Sequence, residues 1–227
     1  MSSIAQLVSE IAHSLKQPDS VPVRKGIKLA IIHARNELIR RSYDNNHITD
    51  KVLQQRFKLS LIDVPDGDLH GTEGVIKNKV KRTAVKVPRP TRLSHNIPFH
   101  SVRTAGITNA IEIPFAKEAS SKYYAKLPGM CRPATYDYIN EYIYINANAH
   151  DAFAQLQAII VESVFEYPHI IPTETVEGKF DVDNVSDNDE FLIPEDMIGN
   201  LKKLVLETWN PEVIRDTNEV TAYGKIQ

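Results

Sequence analysis

Between Phe191 and Trp209 the sequence FLIPEDMIGNLKKLVLETW specifies a helix more firmly than any other stretch specifies an element. Pro194 suits the first helical position, where a missing N–H costs nothing. Glu195 and Asp196 follow in the first turn and Lys202 and Lys203 come later, an order that suits the helix dipole. Ile193, Met197, Ile198, Leu201, Leu204, Val205 and Leu206 recur mostly at spacings of 3, 4 and 7, which makes one wide apolar stripe. A helix of this kind needs other elements to cover that stripe. No catalytic residue type stands in it in a telling arrangement, so it reads as a core helix that can also face a neighbouring subunit.

The N-terminus supplies partners for it. Ile4, Leu7, Val8, Ile11 and Leu15 recur at helical spacing behind Ser2 or Ser3 as a cap, and Pro18 stops the segment. A second helix is expected from Val23 to Ser42, with Ile27, Ala30, Ile31, Ala34, Leu38 and Ile39 on one face. Arg24, Lys25, Lys28, Arg35, Arg40 and Arg41 fall on the others. The two helices form a hairpin that packs with the helix at 194–208.

After residue 50 the period changes. Phe57, Leu59 and Leu61 alternate with Lys58 and Ser60, the mark of a half-buried strand, which the turn residues Pro65 to Asp68 end. Residues 75–92 read as extended and basic, with Pro88 and Pro90 against helix. Ala110 to Phe115 reads as a short edge strand because of Pro114. Thr135 to Ile145 reads as a hairpin turning at Asn140-Glu141, and Ala158 to Phe165 as a buried strand. The expected fold is α+β: an N-terminal helical hairpin and a C-terminal helix packed together, with a central, mainly antiparallel β region. With no repeat or linker, the chain reads as a single subunit over 1–227. Its parts are a helical pair at 1–50, a β-rich region at 51–170, an acidic loop at 171–190, the core helix at 191–209 and a tail at 210–227.

Composition excludes several functions. The formal charge of −2 gives no whole-chain attraction to nucleic acid or to a membrane surface. Cys131 is the one cysteine, which rules out an internal disulfide and fits a reducing compartment. No apolar run of about 18 residues is present to span a membrane, and MSSIAQLVSEIAHSL lacks the basic start of a signal peptide. The acidic residues Asp181, Asp183, Asp187, Asp189 and Glu190 do not make an EF-hand: Ser186 and Leu192 stand where its glycine and glutamate belong. The histidines are scattered without metal-ligand spacing, and the sequence holds no GxxxxGK, GxGxxG or GxSxG motif. No catalytic residue, metal site or cofactor is expected.

The strongest charge feature is Lys77, Lys79, Lys81, Arg82, Lys86, Arg89 and Arg92, seven cations with no acid among them. They suit either contact with DNA or an acidic protein surface, or a solvated edge kept soluble by lysine. No aromatic residue interleaves them, which counts against a platform for single-stranded nucleic acid. An enzyme would need a site assembled from distant residues, and nothing in the sequence points to one.

In order along the chain, the helical pair, QRFKLSLIDVP, VKVPRPTRL with PFHSVRTAG, YDYINEYIYI, VESVFEYP and FLIPEDMIGNLKKLVLE resemble the head-to-tail adaptor, or connector ring, proteins of tailed bacteriophages. The similarity is nearest to those of crAss-like short-tailed phages, over residues 4–208. It implies a non-catalytic virion protein assembled in the host cytoplasm. Such proteins form a ring, commonly of twelve copies, below the portal protein; they extend the DNA channel and dock the next tail or ring component. It also implies that the tail reaches a partner. The candidate interface residues are Lys79, Lys81, Arg82, Lys86, Arg89 and Arg92 in the basic segment, and Trp209, Val213, Ile214 and Tyr223 at the C-terminus. Sheet-edge addition between copies is an expected mode of contact, and the alternative function is a nucleic-acid-binding module using residues 77–92.

Overall fold

A computed structural model describes residues 2–47, 50–65, 67–68, 80–93, 97–106, 110–116, 134–146, 153, 155–168 and 186–209. The chain divides into two compact units, one from residues 1–53 with 186–227 and one from residues 54–185. The fold is α+β, with helices at both ends of the chain and strands between them.

In the helical unit, α1 (Ile4–Ser14) buries Ile4, Leu7, Val8, Ile11 and Ala12 on the stripe that the spacing defines. Its cap is Ser3, whose hydroxyl accepts from the Gln6 N–H. The helix ends before Pro18 is reached. Lys16 takes a left-handed φ of 57°, and its N–H and that of Gln17 bond back to the carbonyls of His13 and Ala12.

Helix α2 (Val21–Asn46) is longer at both ends than its period suggests, with Pro22 in its first turn and a left-handed His47 closing it. It buries Ile27, Ile31, Ile32, Ala34, Arg35, Asn36 and Ile39, because both α1 and the C-terminal helix pack on it. Helix α3 (Glu195–Trp209) starts one residue after Pro194, whose carbonyl accepts from the Met197 N–H. Of its apolar stripe Leu201, Val205 and, just before the helix, Ile193 are fully buried; Met197, Ile198, Leu204 and Leu206 are half-buried. Lys202 reaches Glu10 of α1 at 2.5 Å.

Residues 186–193 lead into α3 as a strap laid across the hairpin. The Ala5 N–H donates to the Asp187 carbonyl, Phe191 N–H to Ser2, and Ser3 bridges Glu190. Lys28 pairs with Asp187 at 2.5 Å. Beneath the strap lies Arg35, which the sequence placed on a polar face and the structure buries completely. Its Nε donates to the Leu192 carbonyl at 2.8 Å, and the guanidinium stands 5.8 Å from the Phe191 ring centre. Burial pushes its pKa down to about 9, which leaves it charged at neutral pH.

The second unit is a six-stranded sheet: β1 (Gln55–Asp63), β2 (Val80–Thr83), β3 (Ser101–Thr104), β4 (Thr135–Ile139), β5 (Tyr142–Asn146) and β6 (Ala158–Ser163). The order is β3-β6-β1-β2-β5-β4, and every pairing between named strands is antiparallel. The β4–β5 hairpin turns at Asn140 and Glu141, both at positive φ, the two-residue geometry that matches strand twist. Strand β6 is buried on one face only: Ile159, Val161 and Ser163 point inward while Ala158, Ile160 and Glu162 are half-buried.

Residues 110–116, of which 110–115 were expected as an edge strand, form isolated bridges on both outer strands. On β3, the Thr104 N–H donates to Ile111, the Ile113 N–H donates to Val102, and Arg103 bridges Glu112. On β4, the Tyr136 N–H donates to Pro114, the Ala116 N–H donates to Tyr136, and Phe115 bridges Tyr136 in parallel. Pro114, lacking a donor, sits where the segment passes from one edge to the other. One short segment thereby closes the sheet into a barrel. Its interior is filled by Phe57, Leu59, Leu61, Val102, Ile113, Tyr136, Ile143, Ile145, Ile159 and Val161 with Phe99 and Phe165. The expected sheet-edge addition between copies meets a closed barrel, since β3 and β4 are both occupied by the chain itself.

Arg35→Ala should lower the stability of the helical unit by about 2–4 kcal/mol, through the cavity left and the orphaned Leu192 carbonyl. Arg35→Met fills the space and avoids burying a charge but still orphans the Leu192 carbonyl, so it should cost less than Arg35→Ala, about 1–2 kcal/mol. Urea unfolding followed by the emission of Trp209, the one tryptophan, checks both.

Candidate subunit interface

Of the cations singled out in the sequence, Lys77 and Lys79 lie outside the described residues, as do Val213, Ile214 and Tyr223. The other basic residues are not a free strip. Strand β2 sets Lys81 opposite Asp63 of β1 in register, and their charged groups approach to 3.8 Å. Arg82 is half-buried, ion-paired to Asp68 and stacked 4.4 Å above the Tyr142 ring centre. The Asp68 carboxylate also accepts from the Tyr144 hydroxyl at 2.8 Å. Arg82 and Asp68 therefore serve the barrel's own fold.

Lys86 and Arg89 converge on Glu141 in the β4–β5 turn, at 3.2 and 2.9 Å. Hydrogen bonds from Arg89 and then Lys86 hold the Glu141 carboxyl below its ordinary range. Arg92 is exposed, and no ion pair reaches it among the described residues. The carboxylates of Asp63, Asp68 and Glu141, distant in sequence, thus neutralise most of a segment that contains no acid. On the outer face of the barrel Glu162 is likewise shared by Arg56 and Arg103, at 2.7 and 3.2 Å.

Trp209 ends α3 against α2. An ideal Cβ at Gly26 would lie 2.3 Å from Trp209 Cζ2, so the glycine leaves the space the indole occupies. The ring is nevertheless 37% exposed. Pro22 and Leu29, four residues before and three after Gly26, are exposed beside it, and Leu29 is 56% exposed. An isolated glycine inside a helical pattern was the available sign of a close approach. Arg35 also left a trace, since it interrupts Ile27, Ile31 and Ile39 at a regular spacing of four.

Among the described residues no group of three or more His, Cys, Asp or Glu is placed to hold a metal ion, and no helix is long and apolar enough to cross a membrane. What the molecule presents is surface: a charge-paired barrel and an apolar patch on the helical unit. The chain belongs to the family of phage tail ring protein 2 of crAss-like phages, whose model matches residues 6–221. No curated protein matches it. It is accordingly a structural component of a phage tail ring.

Gly26→Ala, which in an open helix would add up to about 1 kcal/mol of stability, should here destabilise and shift Trp209 emission toward that of exposed indole. The Glu141 pairs stabilise the fold above the ordinary carboxylate pKa, and that contribution is lost as pH falls through the lowered value. Glu141→Gln should therefore flatten the acid limb of the barrel's pH–stability curve below the ordinary carboxylate range, and should strengthen retention on heparin by freeing Lys86 and Arg89.

Proposed function

We propose that this ring subunit is the head-to-tail adaptor of its virion. In this reading a closed ring, of about twelve copies as is usual for head-to-tail connectors, sits below the portal protein, extends the channel through which DNA passes, and offers its far side to the next tail or ring component. Assembly in the host cytoplasm precedes incorporation into the virion. The observation that carries the reading is membership of the tail ring family over residues 6–221. Its physical support is the apolar patch of Pro22, Leu29 and Trp209, left exposed on the helical unit.

A ring needs two different faces on each subunit that meet their counterparts by rotation. Exposed Lys86, Arg89 and Arg92 on the barrel unit, and Trp209 with Val213, Ile214 and Tyr223 at the C-terminal end, are the proposed contact residues. Lys81 and Arg82 take a lesser part, because they are half-buried in the barrel, whereas Lys86 and Arg89 stay exposed beside Glu141. The pairing of these four with carboxylates argues against a nucleic-acid-binding module, which would hold several cations free for phosphates.

Light scattering of the full chain, alone and with the portal protein of the same phage, tests the proposal. A ring-sized mass, or a monomer that joins the portal in a stable high-mass complex, is expected. A persistent monomer that ignores the portal and retards duplex DNA would overturn it.

A further inference from the structure

Gly26 has no backbone reason to be a glycine, because it lies inside α2 where glycine costs about 1 kcal/mol relative to alanine. Its reason is the indole of Trp209, which cannot approach a helix bearing a Cβ at that position. Yet the seat does not bury the ring as a core position would. Trp209 stays 37% exposed, with Leu29 at 56% and exposed Pro22 beside it and Val21 at 61% on the margin. Two features mark this patch as a binding surface. An aromatic ring is held in a fixed pose and left partly open, the disposition of an interface anchor. Lys25, exposed on the same side of α2, has no ion-pair partner among the described residues.

The chain itself carries a segment of matching chemistry. Residues 210–227 follow Trp209 directly, and Val213, Ile214, Val220 and Tyr223 supply apolar groups. Glu212, Asp216 and Glu219 outnumber Arg215 over 210–223, which complements Lys25. The segment is long enough, at about 3.3 Å per extended residue, to cover about 60 Å. Docking on its own subunit would demand an immediate reversal, because the patch includes the residue from which the segment departs.

We infer that the Pro22, Leu29 and Trp209 patch receives residues 212–223 of a second copy of this chain, so that each subunit offers one patch and one tail. The contact is heterologous, and repeated around an axis it closes a ring. The inference rests on ring assembly alone and does not depend on where in the virion the ring sits.

Two full-length variants test it. Leu29→Glu spoils the patch at an exposed position and keeps the tail; Val213→Asp with Ile214→Asp spoils the tail and keeps the patch. Sedimentation velocity should show each weakening self-association by about tenfold or more, with unchanged circular dichroism. An equimolar mixture should recover a two-subunit complex, in which the good tail of one variant meets the good patch of the other. Trp209 emission should move to shorter wavelength as the parent chain assembles. Parent-like assembly of both variants overturns the inference and leaves the ring intact, as does loss of association in both without recovery on mixing. A parent chain that stays monomeric at every concentration with Trp209 already shielded shows the tail folded on its own subunit and also overturns it. The adaptor reading fails separately, if the parent forms rings that do not bind the portal.

Discussion

The buried guanidinium of Arg35 is the constraint around which the helical unit is arranged. A charge taken wholly out of water must be met by oriented dipoles, and the Leu192 carbonyl and the Phe191 ring meet it here. Asn36 Oδ1 on α2 itself also accepts from Arg35 at 3.3 Å, but Phe191 and Leu192 lie in the strap that precedes α3, so the requirement helps fix where the chain returns to the hairpin. It also fixes where α3 begins. Fifteen residues of helix then carry Trp209 to the one point on α2 that lacks a Cβ. Packing of Leu201 and Val205 gives α3 its stability, whereas Arg35 and Gly26 give it its position.

In the barrel the corresponding constraint is closure. A six-stranded sheet with open edges would be a template for uncontrolled addition between the many copies crowded into a ring. Residues 110–116 remove that hazard by bonding to β3 and β4 at once. The charges follow the same economy, since Asp63, Asp68 and Glu141 engage Lys81, Arg82, Lys86 and Arg89 within the unit.

Much of this was legible in the sequence wherever a local pattern decides the outcome. Helical periodicity gave α1 and α3, alternation gave β1, and Asn140-Glu141 between aromatic runs gave the β4–β5 turn. What was not legible depends on partners far apart in the chain. Arg35 looked solvent-facing because its charge outweighed its place in the Ile27, Ile31 and Ile39 spacing, and its covering residues, Phe191 and Leu192, lie far along the chain. The basic segment looked like a free strip because its carboxylates come from positions 63, 68 and 141. Residues 110–115 looked like a strand at one edge, for short extended segments carry no sign of which edge, or how many, they will meet. The full burial expected of 158–165 failed for a related reason: Val and Ile on both faces of β6 do not show that one face of a closed barrel remains outside.

The proposed contact between copies of this tail ring protein centres on the helical unit, beside Gly26, whereas Lys81 and Arg82 of the basic segment are engaged by the fold itself. Oxidative footprinting of side chains, read by mass spectrometry on the assembled ring and on its dissociated subunit, compares those two places directly. Assembly should protect Leu29 and Trp209 strongly while leaving Tyr142 and Tyr144, beside Arg82, unchanged. Protection of the two tyrosines, with Leu29 and Trp209 oxidised equally in both states, would contradict it.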